Sequence, residues 1–239
     1  MARGTQSAGM KPALAIFVKT PGFSPVKTRL AVALGTVAAT QFHQLAAAAT
    51  AAVVRVSQPD LIPYWAVAEV DPAAGAAWSG FAQLWQGEGD LGQRLHRVYA
   101  QLQARHGRAL LIGADAPQLT PAVLRGALAV LDDADTPFVL GEAADGGFWL
   151  VGGRAPIARS VWLGVSYSQT DTATQLRAAL TPCGNIAVLP ILTDVDDAAD
   201  LPALVQALDA LPDPLPAQRA LRDWLDGVSG RSSVTAMHA

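Results

Sequence analysis

The chain has 239 residues, 51% of them hydrophobic and 15% charged, which excludes a disordered or collagen-like chain. Lys+Arg number 17 against 20 Asp+Glu, a formal net charge of −3 that argues against a protein built to coat nucleic acid. The one cysteine, Cys183, leaves no internal disulfide and no multi-cysteine zinc site, and fits a reducing, cytoplasmic compartment.

Pro12 to Val18 is a short apolar run of the kind buried on both faces of a parallel sheet. Lys19 to Arg29 follows as a loop, marked by two prolines, a glycine and a serine. Thr36 is a plausible N-cap, and the alanine-rich stretch from Val37 to about Arg55 reads as a helix. Leu61 to Glu69 is a second strand, Gln86 to Gly92 a glycine-rich acidic loop, and Gln93 to His106 an amphipathic helix. Arg108 to Gly113 is a third buried strand, broken by Asp115-Ala116-Pro117. Thr120-Pro121 opens the next helix with a cap and a proline at its first position. Strands are predicted at Pro137 to Leu140, at Gly147 to Val151 and at Ile186 to Leu192, with a helix over Thr170 to Leu180. Two helices close the pattern, about Ala198 to Leu211 and Pro216 to Leu225.

Strands alternating with helices predict an α/β fold with a mostly parallel central sheet, one domain over residues 12–227 with flexible ends at 1–11 and 228–239. The mean hydropathy of +0.27 comes from abundant alanine. No apolar run reaches the roughly 18–20 residues of a membrane span. Met1 to Lys11 lacks the pattern of a secretion signal.

Ligands of open α/β sheets bind at the carboxyl ends of the strands. Four polar clusters fall there: Lys19 to Arg29, Gly113 to Pro117, Asp145-Gly146-Gly147 and Asp194 to Asp197. The chain has 14 Arg but three Lys, Lys11, Lys19 and Lys27, all before the first predicted helix. A lysine is a compact point charge suited to a phosphate oxygen, so Lys27-Thr28-Arg29 reads as a phosphate clamp or else as a solvated basic loop. Neither a P-loop nor a GxGxxG fingerprint is present. Asp115, where a buried strand stops, can hold a divalent cation, which takes one or two carboxylates and fills its shell with phosphate and water. Asp194 and Asp196 are two apart, so on an extended segment they point one way and either can join Asp115. Asp197 suits a helix cap. Asp145 can meet sugar hydroxyls or metal, with paired glycines making room, or can form an ordinary Asp-Gly turn.

Five segments occur in order: KTPGFSPVKTRLA (Lys19 to Ala31), GEGDLGQRL (Gly87 to Leu95), LIGADAPQLT (Leu111 to Thr120), GEAADGGFWLVGG (Gly141 to Gly153) and DVDDAADL (Asp194 to Leu201). Together they resemble a bacterial family of GT-A-like nucleotide-diphospho-sugar transferases, labelled domain of unknown function 2064 or rSAM/selenodomain-associated transferase. The resemblance covers roughly Ala13 to Val205 and implies a three-layer α/β/α Rossmann-like fold. It also implies Mg²⁺ or Mn²⁺, with Asp115 matching the usual metal-binding aspartate and Asp196 the second carboxylate. Where the family loop has a glycine this chain has Ser24, and where the family has tryptophan it has Tyr167.

The expectation is a metal-dependent transferase acting on a nucleotide-activated sugar and a small-molecule acceptor, without nucleic acid or membrane span. Lys27, Asp115 and Asp145 are its catalytic candidates. Lys19, Lys27, Arg29, Asp90, Gly113, Gly146 and Gly147 are its nucleotide contacts. A nucleotidylyltransferase and a non-catalytic nucleotide-binding homologue are the competing readings.

Overall fold

The run Ala13–Val18 forms β1, buried almost throughout, at the centre of one seven-stranded sheet in the computed structural model, which describes residues 10–236. On one side β1 pairs in parallel with β2 (Ile62–Val67), which pairs in parallel with β3 (Ala82–Trp85). On the other it pairs in parallel with β4 (Ala109–Gly113). Beyond β4 lie β6 (Phe148–Gly153), antiparallel to both its neighbours, then β5 (Phe138–Ala143) and β7 (Ile186–Leu192), giving the order β3-β2-β1-β4-β6-β5-β7. The chain leaves β1 for β2 on one side and reaches β4 on the other, so β1 and β4 flank a topological switch point.

Period-two alternation splits the sheet's side chains between two cores. Leu14, Ile16, Leu110 and Ile112 pack under α2 (Thr36–Val56) and α5 (Pro121–Val130). Ala13, Ala15, Leu111 and Val151 pack under α4 (Leu91–His106), α6 (Arg159–Leu163) and α7 (Thr172–Leu180). The result is the expected three-layer α/β/α sandwich. A satellite core joins Leu30 of α1 (Thr28–Leu34) and Phe42 of α2 to α8 (Leu201–Asp209) and α9 (Pro216–Ala236).

Four short elements escape the sequence reading. They are α1, α6, the four-residue helix α3 (Pro72–Gly75) and β3, whose side chains are mostly exposed and show no alternation. The N-cap of α2 is Gly35, not Thr36, since α1 already occupies the preceding segment. By length and composition α2 meets the criterion for a membrane span, contrary to the sequence count. Its alanine and valine face is buried against the sheet and α9. Helix α9 continues to Ala236 through part of the stretch expected to fray; residues 1–9 and 237–239 of the expected flexible ends lie outside the described residues.

Candidate functional site

The loop after β1 is tied down before it reaches any ligand. The Thr20 N–H donates to both oxygens of Glu69 at 3.1 Å, Trp78 donates to the Thr20 hydroxyl at 2.8 Å, and His43 Nε2 meets the Lys19 carbonyl at 2.9 Å. The buried Gln86 amide donates to the carbonyls of Val18 and Ala66, knitting the ends of β1 and β2 together. Thus Lys19 to Arg29 leaves the sheet on a fixed course. Ser24 does not adopt glycine's left-handed backbone. Among the described residues the two non-glycine positions with positive φ are Lys27 at 46° and Ser168 at 60°, and both line the same cleft. Strained non-glycine backbone concentrates at functional sites.

That cleft, of about 540 Å³, opens at the carboxyl ends of β1 and β4. Its polar half holds Lys19, Lys27, Arg29, Asp115, Asp194 and Asp196, with Asp145 at the rim. Phe17, Leu91, Leu95, Leu111, Phe148 and Tyr167 wall its apolar half. Tyr167 is fixed by donating to the Trp162 carbonyl at 2.9 Å and meets Phe148 edge-on, so it forms wall rather than a free hydroxyl.

Lys27 is not a free basic residue. Its side chain is 6% exposed, its ammonium lies 2.9 Å from Asp115 Oδ1, and it donates to the Val195 carbonyl. Burial works against its charge. The carboxylate of Asp115 first, then those of Asp194 and Asp196, outweigh that effect and hold its pKa above the ordinary lysine value. Arg29 pairs with Asp196 at 2.7 Å, both largely exposed. The segment Asp194-Val195-Asp196 alternates: Val195 is buried in the satellite core, while Asp194 and Asp196 both line the cleft. Its course is set by the Gln118 amide, which donates to the Thr193 carbonyl at 2.8 Å, and by the Val195 N–H, which reaches the Asp115 carbonyl.

Of the two aspartates, Asp194 is the more deeply placed. Its Oδ1 is buried and has no hydrogen-bond partner. Burial, then the Asp115 carboxylate, push its pKa up to about 7 against the pull of Lys27. A buried acceptor without a donor is costly unless something fills the gap. The sequence resemblance singled out Asp196, but the structure commits Asp196 to Arg29 and leaves Asp194 facing Asp115. Asp197 caps the short turn Ala198–Asp200, as its position suggested.

The remaining sequence candidates divide. Gly113 and Gly147 line the cleft. Asp145 accepts from the Gly147 N–H at 2.9 Å in the turn joining β5 and β6, so it is both a turn residue and part of the rim. Gly146 does not line the cleft; a side chain there would strike the Thr170 carbonyl, and φ is +88°, so this glycine lets the β5–β6 turn pack against the 166–172 loop. Asp90 lies outside the cleft lining. Its carboxylate caps α4 by accepting from the Gln93 N–H, and Gln93 reaches back to the Asp90 N–H. We therefore expect Asp90→Ala to cost about 1 kcal/mol of stability. Nucleotide titration should show unchanged affinity; a tenfold loss would return Asp90 to the site.

A family model described as an uncharacterized protein conserved in bacteria, DUF2064, matches residues 36–169. The chain belongs to this family. That match spans Asp115 and Asp145; Lys27, Arg29 and Asp194 fall outside it, and the fold brings them to the same cleft. A provisionally assigned nucleotide-diphospho-sugar transferase from Desulfovibrio desulfuricans G20 shares the fold with a TM-score of 0.80 and 22% identity, over 91% of this chain and 96% of that one. Rv0371c from Mycobacterium tuberculosis H37Rv gives a TM-score of 0.51 and 18% identity, over 82% of this chain and 98% of that one. CMP:2-keto-3-deoxy-manno-octonic acid synthetase complexed with CTP gives 0.51 and 14%, over 84% and 98%. No curated protein matches the sequence. At these identities the DUF2064 chain shares a fold with such proteins.

Proposed function

We propose that this DUF2064 protein is a divalent-metal-dependent transferase that binds a nucleotide-activated sugar in the cleft and passes the sugar to a small-molecule acceptor. The observation that carries this reading is the meeting of two carboxylates, Asp115 and Asp194, with Lys19, Lys27 and Arg29 at the carboxyl ends of the central strands. Among the described residues no three His, Cys, Asp or Glu side chains form a ready-made metal cage. Mg²⁺ and Mn²⁺ do not require one, since hard cations take one or two carboxylates and complete their shell with phosphate oxygens and water. The unpartnered, buried Oδ1 of Asp194 beside Asp115 fits such an ion.

Asp115 and Asp194 would hold the metal, which would neutralise charge developing on the diphosphate leaving group. Lys19, exposed in the cleft, and Arg29 bind phosphate oxygens; Lys27 supplies a third positive charge at the strand ends. The Asp145 carboxylate at the rim faces an acceptor hydroxyl as general base, its orientation fixed by the Gly147 N–H. The apolar half excludes water from the acceptor side. Cys183 is exposed and free, in keeping with a reducing cytoplasm.

The charge of Asp194 makes a pH prediction. In the folded protein it keeps its proton up to about pH 7, whereas the unfolded chain releases it near 3.8. Folding therefore takes up a proton across this window, so this group's contribution makes stability fall as pH rises from about 4 to 7. Asp194→Asn should melt higher than the parent above pH 7 in metal-free buffer, by about 2–4 °C for each kcal/mol relieved. The same variant should lose Mn²⁺ binding. Differential scanning calorimetry at pH 5 and pH 8, with chelator, checks the first; an Asp194→Asn variant less stable than the parent at both would contradict it.

The test of the reading itself is a donor screen by thermal shift, with Mg²⁺ or Mn²⁺ and each common NDP-sugar and NTP. Stabilisation by NDP-sugars supports sugar transfer. Stabilisation by NTPs alone would favour nucleotidyl transfer to a phosphorylated small molecule, the reading that three cations in one loop also suit. Two of those three are already paired, Lys27 with Asp115 and Arg29 with Asp196, which favours the less charged diphosphate donor. No shift with any nucleotide would leave a non-catalytic homologue.

A further inference from the structure

We propose that the Lys27 ammonium is the resident cation of the metal site, occupying it in the ligand-free protein and leaving Asp115 when a divalent ion enters. The inference rests on the metal reading above and concerns how that site is filled.

The Lys27 ammonium is held by a carboxylate oxygen, Asp115 Oδ1, and a backbone carbonyl, that of Val195. These are oxygen donors of the kind a hard divalent cation takes. Asp194 stands beside them with Oδ1 buried and unpartnered. Asp196 is already matched by Arg29. Once Asp194 gives up its proton, Asp115 and Asp194 face Lys27 with one negative charge left over. A dication in the ammonium's place leaves none, and gives the orphaned oxygen of Asp194 a partner. An ammonium and a dication on the same Asp115 carboxylate repel each other, so entry of the dication favours release of the lysine.

Once displaced, Lys27 needs a new anion. It is the left-handed residue that starts α1 and it lines the cleft, where the phosphates of the proposed donor would supply that anion. Metal entry and phosphate entry are thereby linked: the metal frees the lysine that the phosphates then hold. A site built this way resists metal alone and takes metal and diphosphate together.

The sequence makes the test direct, because it has three lysines, Lys11, Lys19 and Lys27, and Lys11 is exposed and serves as the internal reference. Amine acylation followed by mass spectrometry is read on the full chain, free, with saturating Mn²⁺, and with Mn²⁺ plus inorganic pyrophosphate. Lys27 should be protected in the free protein, label about tenfold faster with Mn²⁺ alone, and be protected again with pyrophosphate, as expected for release of one charge-assisted contact. In parallel, Lys27→Met should bind Mn²⁺ without nucleotide roughly ten- to hundred-fold more tightly than the parent. Mn²⁺ should also raise the melting temperature of Lys27→Met more than that of the parent, a comparison that holds even if the variant is destabilised. If the parent binds Mn²⁺ with pyrophosphate while Lys27 stays protected throughout and Lys27→Met binds Mn²⁺ no more tightly, the exchange is wrong and the metal reading stands. If neither protein binds Mn²⁺ with or without pyrophosphate, the metal reading fails and the exchange with it.

Discussion

Lys27→Ala is expected to lower the melting temperature by about 6–12 °C, far more than loss of any other basic residue in the cleft. A surface lysine would cost almost nothing. This one is buried, ion-paired to Asp115 and bonded to the Val195 carbonyl, and its charge also faces Asp194. Breaking a buried pair by removing one partner typically costs 3–5 kcal/mol; Asp115 is one-third exposed and can gain some water, so about 3 kcal/mol is the better figure here. Because the folded pKa of Lys27 is raised above the ordinary value of 10.5, its contribution is fully present at neutral pH and is lost only as pH climbs through that raised value. The comparison is Arg29→Ala, which removes an exposed pair with Asp196 worth less than about 1 kcal/mol. Urea denaturation at pH 7 of the parent and both variants decides it. Equal losses would mean that Lys27 is as solvated as Arg29.

Asp115→Asn should act on function and stability together. The amide keeps an oxygen for the Lys27 ammonium but not the charge, leaving a buried cation short of its main counter-charge at about 1–3 kcal/mol. It also removes the carboxylate that would anchor the metal. Loss of even a supporting partner costs a metal site roughly 10- to 100-fold in affinity, and a ligand should cost at least that. Calorimetric titration of Mn²⁺ with nucleotide present should show no binding in the accessible range, with the protein still folded at about 20 °C, well below the usual melting range of such domains. Unchanged affinity would remove Asp115 from the site. Asp115 is more than a strand-end residue, since its partner Lys27 lies 88 residues earlier in the chain.

That partnership marks the boundary of what the sequence discloses. Continuous apolar runs identify β1 and β4 because both faces of these strands are covered, whereas β7, equally apolar in sequence, is a half-exposed edge. Thr120-Pro121 sets the start of α5, and Asp197 the cap before α8, because capping is local chemistry written in adjacent residues. Helix α1 is hidden for the opposite reason. It starts from Lys27 in a left-handed conformation with no side-chain cap, directly after a loop full of breakers. Strand β3 is a short edge with no alternation, so it exists only because β2 lies beside it. The site follows the same rule. Strand-end placement picks out Asp115, Asp145 and the Lys19 to Arg29 loop. It cannot tell that Asp90 is consumed as a cap, that Gly146 exists to clear Thr170, or that Asp194 rather than Asp196 is the buried carboxylate. One signal was available in part: Val195 is apolar between two aspartates, so it goes to a core and turns both neighbours to the cleft wall, without telling which lies deeper.

Product analysis on the purified protein tests metal-dependent sugar transfer most directly. The protein is incubated with Mg²⁺ and the NDP-sugar that stabilises it best, with and without a panel of small acceptors, beside the Asp115→Asn variant and a chelator control. Nucleoside diphosphate should be released, dependent on the metal and absent from Asp115→Asn. Release of pyrophosphate from an NTP, with NDP-sugars untouched, would contradict metal-dependent sugar transfer, and so would a nucleoside diphosphate yield that neither chelator nor Asp115→Asn reduces.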